Sequence, residues 1–102
     1  MSVESTEEEI KTQIEILSNQ MEIHLGGVWE STTKDNLLKT ANKVKQIVQN
    51  SNGFSKNVQI DKTLNILNRA KVKAIMSNDK EYYSVCQKID SIITSLNHCR
   101  GN

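Results

Sequence analysis

Residues 82–99, with the sequence YYSVCQKIDSIITSLNHC, contain the most regular apolar pattern in the chain. Side chains of apolar character recur there at intervals of three and four residues: Tyr82, Val85, Ile89, Ile92, Leu96 and Cys99. Such intervals place side chains on one face of an α-helix, because the helix completes a turn in about 3.6 residues. Just before this stretch, Asn78 and Glu81 have the N-x-x-E spacing of a capping box. The pattern therefore predicts an amphipathic helix over residues 79–98.

Three earlier segments have the same spacing. Their stripes are Ile10, Ile14, Leu17 and Met21, then Leu37, Ala41, Val44 and Val48, then Ile60, Leu64, Leu67 and Ala74, with Ala70 and Ile75 beside the last. These stripes predict helices over residues 5–25, 33–52 and 57–76. The segment 57–60 alternates briefly, but it is too short for a strand and is taken as the entry to a helix. We therefore predict an all-α chain, a four-helix bundle.

Turn and capping residues between the stripes set the predicted helix boundaries. Ser5 with Glu8 forms an S-x-x-E capping box, and Thr32 with Asp35 gives the second helix a similar start. The pairs Gly26-Gly27 and Asn52-Gly53 are typical of helix C-termini. Only residues 77–79 join the third and fourth helices. These two helices are therefore predicted to form an antiparallel hairpin.

Length and composition limit the class of protein. The chain has 102 residues, of which 36% are hydrophobic and 25% are charged, with no proline and four aromatic residues. This predicts one domain over residues 1–102, frayed at 1–4 and 100–102, with an aliphatic core. No apolar run reaches the roughly 20 residues of a membrane span, and the acidic N-terminus is unlike a secretory signal. With only Cys86 and Cys99, we expect an intracellular chain, in the cytoplasm or the nucleus.

The charged residues are segregated along the sequence. Residues 1–30 contain seven acids and one base, whereas residues 31–76 contain nine bases and two acids. Within the first segment, Glu8, Glu15 and Glu22 recur every seven residues beside the apolar stripe, as edge charges do in coiled coils. This arrangement predicts that the first helix is oriented against the second and third, within one chain or between two copies. Exposed ion pairs contribute only about 0–1 kcal/mol each, so they would select the partner more than stabilise it.

No sequence motif for catalysis or cofactor binding is present, so we expect a protein that is not an enzyme and binds no cofactor. Cysteine and histidine lack the spacings of metal sites, and Cys86 and Cys99 are expected to be core or boundary residues. Asp61 and Asp90 are expected to be isolated and solvated. His24 raises the remote alternative of a phosphotransfer domain. It lies on the apolar stripe of the first helix, however, which favours a position inside or at the end of the bundle.

Two functional alternatives remain. The first is a weak, non-specific nucleic-acid-binding protein that uses two adjacent basic ridges. Their bases are Lys39 and Lys43 on the second helix, and Lys62, Arg69 and Lys73 on the third. Eight of the nine bases in the middle segment are lysines and no aromatic residue is interleaved in either ridge, whereas nucleic-acid recognition favours arginine and stacking aromatic residues.

The second and favoured alternative is a regulatory or adaptor subunit that binds a protein partner or a second copy through helix faces. Apolar residues beside the core stripes could remain unburied in so small a bundle: Ile16, Ile23, Leu25, Leu38, Ile47 and Ile93. Trp29 falls in a connection, where tryptophan serves as a plug over the bundle end or as an interface anchor. The predicted partner-binding residues are Ile16, Ile23, Trp29, Lys39 and Lys43.

Overall fold

Four helices contain nearly all of the residues that the structure describes. The computed structural model describes residues 3–22, 31–50, 56–76 and 82–100. The helices are α1 (Val3–Glu22), α2 (Ser31–Gln49), α3 (Lys56–Met76) and α4 (Tyr82–His98). Within these ranges the chain forms no strand. The prediction of an all-α, four-helix bundle is therefore confirmed.

The first two helices begin earlier than the capping residues predicted. α1 begins at Val3 and α2 at Ser31, each two residues before the predicted start, so Ser5 and Thr32 lie in the first turns of their helices. A capping box marks a helix start only when the residues before it resist the helical conformation, and no proline precedes either box. The predicted stops at Gly26-Gly27 and Asn52-Gly53, and the box at Asn78 and Glu81, lie outside the described residues.

The core is aliphatic, as the composition predicts. The four stripes supply buried side chains from every helix, and Ile10, Leu17, Leu67 and Leu96 are fully buried. Burial of this apolar surface is the main favourable term in folding. The structure differs from prediction at Leu64, which is only half-buried, and the buried Thr63 lies beside it.

The hydroxyl groups of two buried threonines donate hydrogen bonds within their own helices. Thr63 Oγ1 donates a hydrogen bond of 2.9 Å to the carbonyl oxygen of Gln59, and Thr40 Oγ1 donates one of 3.0 Å to that of Asn36. Each bond reaches back one helical turn, which lets a threonine hydroxyl be buried without a partner from another helix. Gln59 differs, because its side-chain oxygen Oε1 is buried and has no partner.

The helices occupy the four corners of the bundle in the order α1, α2, α4, α3. α1 packs on α2 and α3, and α4 packs on the same two helices. α2 and α3 make few contacts with each other, so they lie at diagonally opposite corners. The bundle measures 42 × 22 × 17 Å along its principal axes. The acidic α1 therefore lies between the two basic helices, in the position that the charge segregation predicts.

Two ion pairs give the direction of α4 relative to α3. Lys71 Nζ lies 2.5 Å from Asp90 Oδ1, and the Arg100 guanidinium binds the Asp61 carboxylate. Ten residues forward along α3, from Asp61 to Lys71, correspond to ten residues back along the chain, from Arg100 to Asp90. α3 and α4 therefore form the predicted antiparallel hairpin. The expectation that Asp61 and Asp90 are isolated is wrong, because each has a basic partner on the neighbouring segment.

Candidate functional site

The basic ridge of α2 is exposed. Lys39, Lys43, Gln46 and Asn50 follow one another at intervals of four, three and four residues, and all four are exposed. They occupy the side of α2 that faces away from the buried residues Leu37, Ala41, Val44 and Val48. The sequence therefore predicted this polar surface correctly. Lysines lie mostly at protein surfaces, so exposure is the ordinary state of the residues in this ridge.

Two of the bases predicted for the α3 ridge, Lys62 and Arg69, lie on the flank that faces α1. Lys62 and Arg69 are exposed, Lys73 is half-buried, and Ile66 between them is buried. Because α2 and α3 occupy opposite corners, this flank does not adjoin the ridge of α2. The prediction of two adjacent basic ridges is therefore wrong. Each basic helix has α1 and α4 as its principal neighbours instead.

A groove of ≈ 420 Å³, lined by both polar and apolar side chains, runs between α1 and α3. Its lining includes Lys11 and Glu15 from α1 and Gln59, Lys62 and Arg69 from α3. The groove thus brings an acid of the sevenfold glutamate series onto the same surface as two bases of the middle segment. This places one acidic residue beside the bases, as the predicted orientation of the first helix requires.

The exposed apolar residues differ from those that the sequence predicted. Ile16 is exposed as expected, but Leu38 is buried, and Ile47 and Ile93 pack against the core. Larger exposed fractions occur on α3 and at the start of α4. These residues are Val58, Val72, Ile75, Met76 and Tyr83. Ile75, which adjoins the apolar stripe in the sequence, is 57% exposed and lies outside the core.

Four of these residues lie at the end of the hairpin where α3 stops and α4 starts: Val72, Ile75, Met76 and Tyr83, here called the hairpin-end cluster. Met76 is 80% exposed and Tyr83 is 66% exposed. Ile75 follows Lys71 by one turn, and Tyr83 precedes Asp90 by two turns. The Lys71–Asp90 pair therefore places Ile75 and Tyr83 on the same side of the hairpin.

A second regular stripe lies on the outer surface of α3. Its members are all exposed and recur at intervals of four and three residues: Val58, Lys62, Asn65, Arg69, Val72 and Met76. The spacing equals that of the core stripe of the same helix. This stripe was not predicted from the sequence because it mixes basic, amide and apolar residues, although its members are regularly spaced.

The two cysteines are half-buried, as expected for boundary residues, and both pack against the core. Cys86 Sγ lies 3.8 Å from the carbonyl oxygen of Lys71, to which it donates a weak hydrogen bond. Burial raises the pKa of the Cys86 thiol and Asp90 raises it further, while Lys71 acts in the opposite direction. A thiol with a raised pKa is a poor nucleophile at neutral pH.

Four residues considered in the sequence cannot be placed in the structure. Ile23, His24, Leu25 and Trp29 lie outside the described residues. In the part of the chain that the structure does describe, no three His, Cys, Asp or Glu side chains come together as metal ligands. None of the four helices, over their described lengths, is both long and apolar enough to cross a membrane.

Comparison of the chain with protein-family models, with curated protein sequences and with solved structures finds no match in any of the three. The function of the chain must therefore be inferred from its own residues and their arrangement.

Proposed function

We propose that this chain is a non-enzymatic protein-interaction module, a small regulatory or adaptor subunit that acts inside the cell by presenting helix faces to a partner. The bundle has its own aliphatic core, so surface residues are free to serve contacts with other molecules. The two cysteines are free thiols, in keeping with a reducing compartment.

The observation that supports this proposal is the hairpin-end cluster. Apolar side chains scattered singly over a surface need no explanation, but a group of large ones in one place is typical of contact surfaces. Methionine and tyrosine are both enriched at protein interfaces, and here they are the two most exposed of the large apolar residues in the described part of the chain. Lys73 and Lys71, both half-buried, lie on the same turns of α3 and supply the polar rim that such surfaces commonly have.

Site-specific photo-cross-linking tests this proposal in cells of the source organism. One variant carries a photoreactive residue in place of Met76, and a matched control carries it in place of Gln87, which is exposed on α4 outside the cluster. We expect the Met76 variant to form a discrete adduct with another protein and the Gln87 variant to form none. The adduct is identified by mass spectrometry.

A second pair of variants tests whether the apolar character of the cluster matters. Met76→Glu should abolish the adduct formed from a photoreactive residue at Tyr83, whereas Asn68→Glu, at an exposed polar position of α3, should leave it intact. Equal labelling from Met76 and Gln87 would refute a specific surface at the hairpin end. Adducts with nucleic acid instead of protein, formed from photoreactive residues at Lys39 or Lys62, would favour the alternative function.

A further inference from the structure

The outer surface of α3 has large apolar side chains where polar ones are expected. A helix that buries one face in a small bundle is typically polar on the opposite face. Of the six large apolar side chains that are exposed in the described part of the chain, four lie on α3. Three of these belong to its second regular stripe, here called the outer stripe: Val58, Lys62, Asn65, Arg69, Val72 and Met76.

The outer stripe is long and narrow, and a groove runs beside its middle. Its ends, Val58 and Met76, are 18 residues apart, which is roughly 27 Å along the helix. Its middle members, Lys62, Asn65 and Arg69, border the groove of ≈ 420 Å³ between α1 and α3. The lining of that groove also includes the apolar side chains Ile14 and Ile66. A surface of this shape fits a second helix laid alongside α3, with side chains that enter the groove.

The charge around the outer stripe is positive. α3 has five bases and one acid, Asp61, and the Arg100 guanidinium binds that carboxylate. Across the groove, α1 contributes one base, Lys11, and one acid, Glu15, so it adds no net charge beside Lys62. Interfaces join surfaces of opposite charge, so a helix that fits this surface is acidic.

We propose that the outer stripe docks an acidic amphipathic helix of a partner protein, with apolar side chains near both of its ends and carboxylates between them. This inference rests on the proposed function and deepens it by naming the kind of partner, since Val72 and Met76 also belong to the hairpin-end cluster. Lys62 is exposed and meets a partner carboxylate. Arg69 already interacts within its own chain, so we do not assign that role to it. Val58 extends the contact beyond the hairpin-end cluster to the other end of α3.

The order of the residues along the outer stripe disfavours a membrane or a nucleic acid as the occupant. A helix that lies in a membrane surface has a continuous apolar face, with its bases on the polar face. In the outer stripe the bases Lys62 and Arg69 interrupt the apolar line between Val58 and Val72. Single-stranded nucleic acids bind where bases stack on aromatic side chains, and the six residues of the outer stripe include none.

Binding of synthetic helical peptides to the full chain tests the proposal. The first probe is an alanine-based peptide of about 20 residues, with leucines at both ends of one face and glutamates between them. The second probe has glutamine in place of each glutamate. Because exposed ion pairs are weak but favourable, the glutamate peptide should bind at least about threefold more tightly at low salt. Fluorescence anisotropy of labelled peptides measures both dissociation constants, and the preference should shrink as salt screens the charges.

Three substitutions at exposed positions separate the charge from the apolar contact. Lys62→Gln should at least halve the preference for the glutamate peptide, whereas the matched control Lys43→Gln, on α2, should leave it unchanged. Val58→Ser removes apolar area and no charge, so it should weaken the binding of both peptides at least about threefold and leave the preference intact. Val58 lies outside the hairpin-end cluster, so its effect distinguishes a helix along the whole stripe from a contact with the cluster alone. Far-ultraviolet circular dichroism establishes that each variant is folded.

Each result decides the proposal. It is overturned if neither peptide binds at up to about 1 mM, if both bind equally, or if Lys62→Gln behaves like Lys43→Gln. Tighter binding to phosphatidylserine vesicles or to duplex DNA than to the glutamate peptide also overturns it. A glutamate preference that depends on Lys62, together with an affinity that depends on Val58, supports it.

Cross-linking at Met76 in cells reports separately on the proposed function. Specific protein adducts from Met76 without peptide binding would overturn the acidic helix alone. Peptide binding without such adducts would overturn the proposed function alone.

Discussion

Replacing Gln59 with leucine should make the bundle more stable. Gln59 is 3% exposed, and its Oε1 atom has no hydrogen-bond partner. A polar group buried without a partner costs about 1–3 kcal/mol, because it loses its bonds to water and gains none in return. Leucine has a similar volume and a helix propensity at least as high, so the substitution removes that cost without opening a cavity.

The expected gain for Gln59→Leu is therefore about 1–3 kcal/mol in the free energy of unfolding. For a domain of this size, each kcal/mol shifts the melting temperature by about 4–8 °C. Urea denaturation followed by far-ultraviolet circular dichroism measures the change, provided that the slope with denaturant stays constant.

Thr63→Val is the matched control for Gln59→Leu. Thr63 is fully buried on the same helix, but its hydroxyl has a partner in the Gln59 carbonyl oxygen. Removing a satisfied hydroxyl should lower the free energy of unfolding by about 0.5–1.5 kcal/mol. The reasoning fails if Gln59→Leu unfolds at a lower urea concentration than the original chain, because the Gln59 amide must then make favourable contacts that leucine cannot replace.

Three further predictions concern the core, the hairpin and the half-buried Cys86 thiol. Leu67→Ala should lower the free energy of unfolding by about 2–5 kcal/mol, because it opens a cavity at a fully buried site. Met76→Ala, at an exposed site, should change it by less than about 0.5 kcal/mol. Similar losses for the two variants in urea denaturation would contradict the assigned core. A double-mutant cycle on Lys71 and Asp90 should give a coupling energy below about 1 kcal/mol, since the two side chains are 29% and 55% exposed. A coupling energy above about 2 kcal/mol would contradict this, because it would require a pair with much less access to solvent. The raised pKa of Cys86 means that its contribution to stability is complete below the pKa of the unfolded thiol, roughly 8.5, and is lost as pH rises through the higher folded pKa. The urea midpoint should therefore fall less steeply above about pH 8.5 in Cys86→Ala than in the original chain, and parallel pH profiles would refute this.

Helix content and most of the core followed from the sequence because burial against a common core imposes the spacing of three and four residues. Lys71 and Ile75 mark the limit of that argument. Both lie near the edge of the apolar stripe, so spacing alone assigns Ile75 to the core and makes Lys71 a defect. In the structure Lys71 reaches Asp90 and Ile75 is exposed, an outcome that depends on how far α4 is shifted along α3.

The order of the four helices around the bundle could not be predicted from the sequence either. All four helices present an apolar stripe of similar width, so several arrangements bury comparable areas. Consecutive helices are often neighbours, which favoured adjacent positions for α2 and α3. The diagonal placement removes the joint basic surface and, with it, much of the candidate nucleic-acid site.

The diagonal placement also affects how far the bases of the two predicted ridges could act together. Neighbouring helix axes lie about 8–10 Å apart, so axes at opposite corners lie about 11–14 Å apart and their outer faces point away from each other. A phosphate backbone on the ridge of α2 therefore meets only Lys39 and Lys43 among the bases of the two predicted ridges. Two phosphate contacts give a salt slope near about −1.8, so a fourfold rise in salt would weaken binding by about tenfold, starting from an affinity that is already low. Lys62 and Arg69 of α3 share a groove with Glu15 and Lys11 of α1, so an acidic residue of the protein itself lies on the same surface as these two bases. The charge segregation therefore fits the position of α1, which packs against both basic helices within the chain.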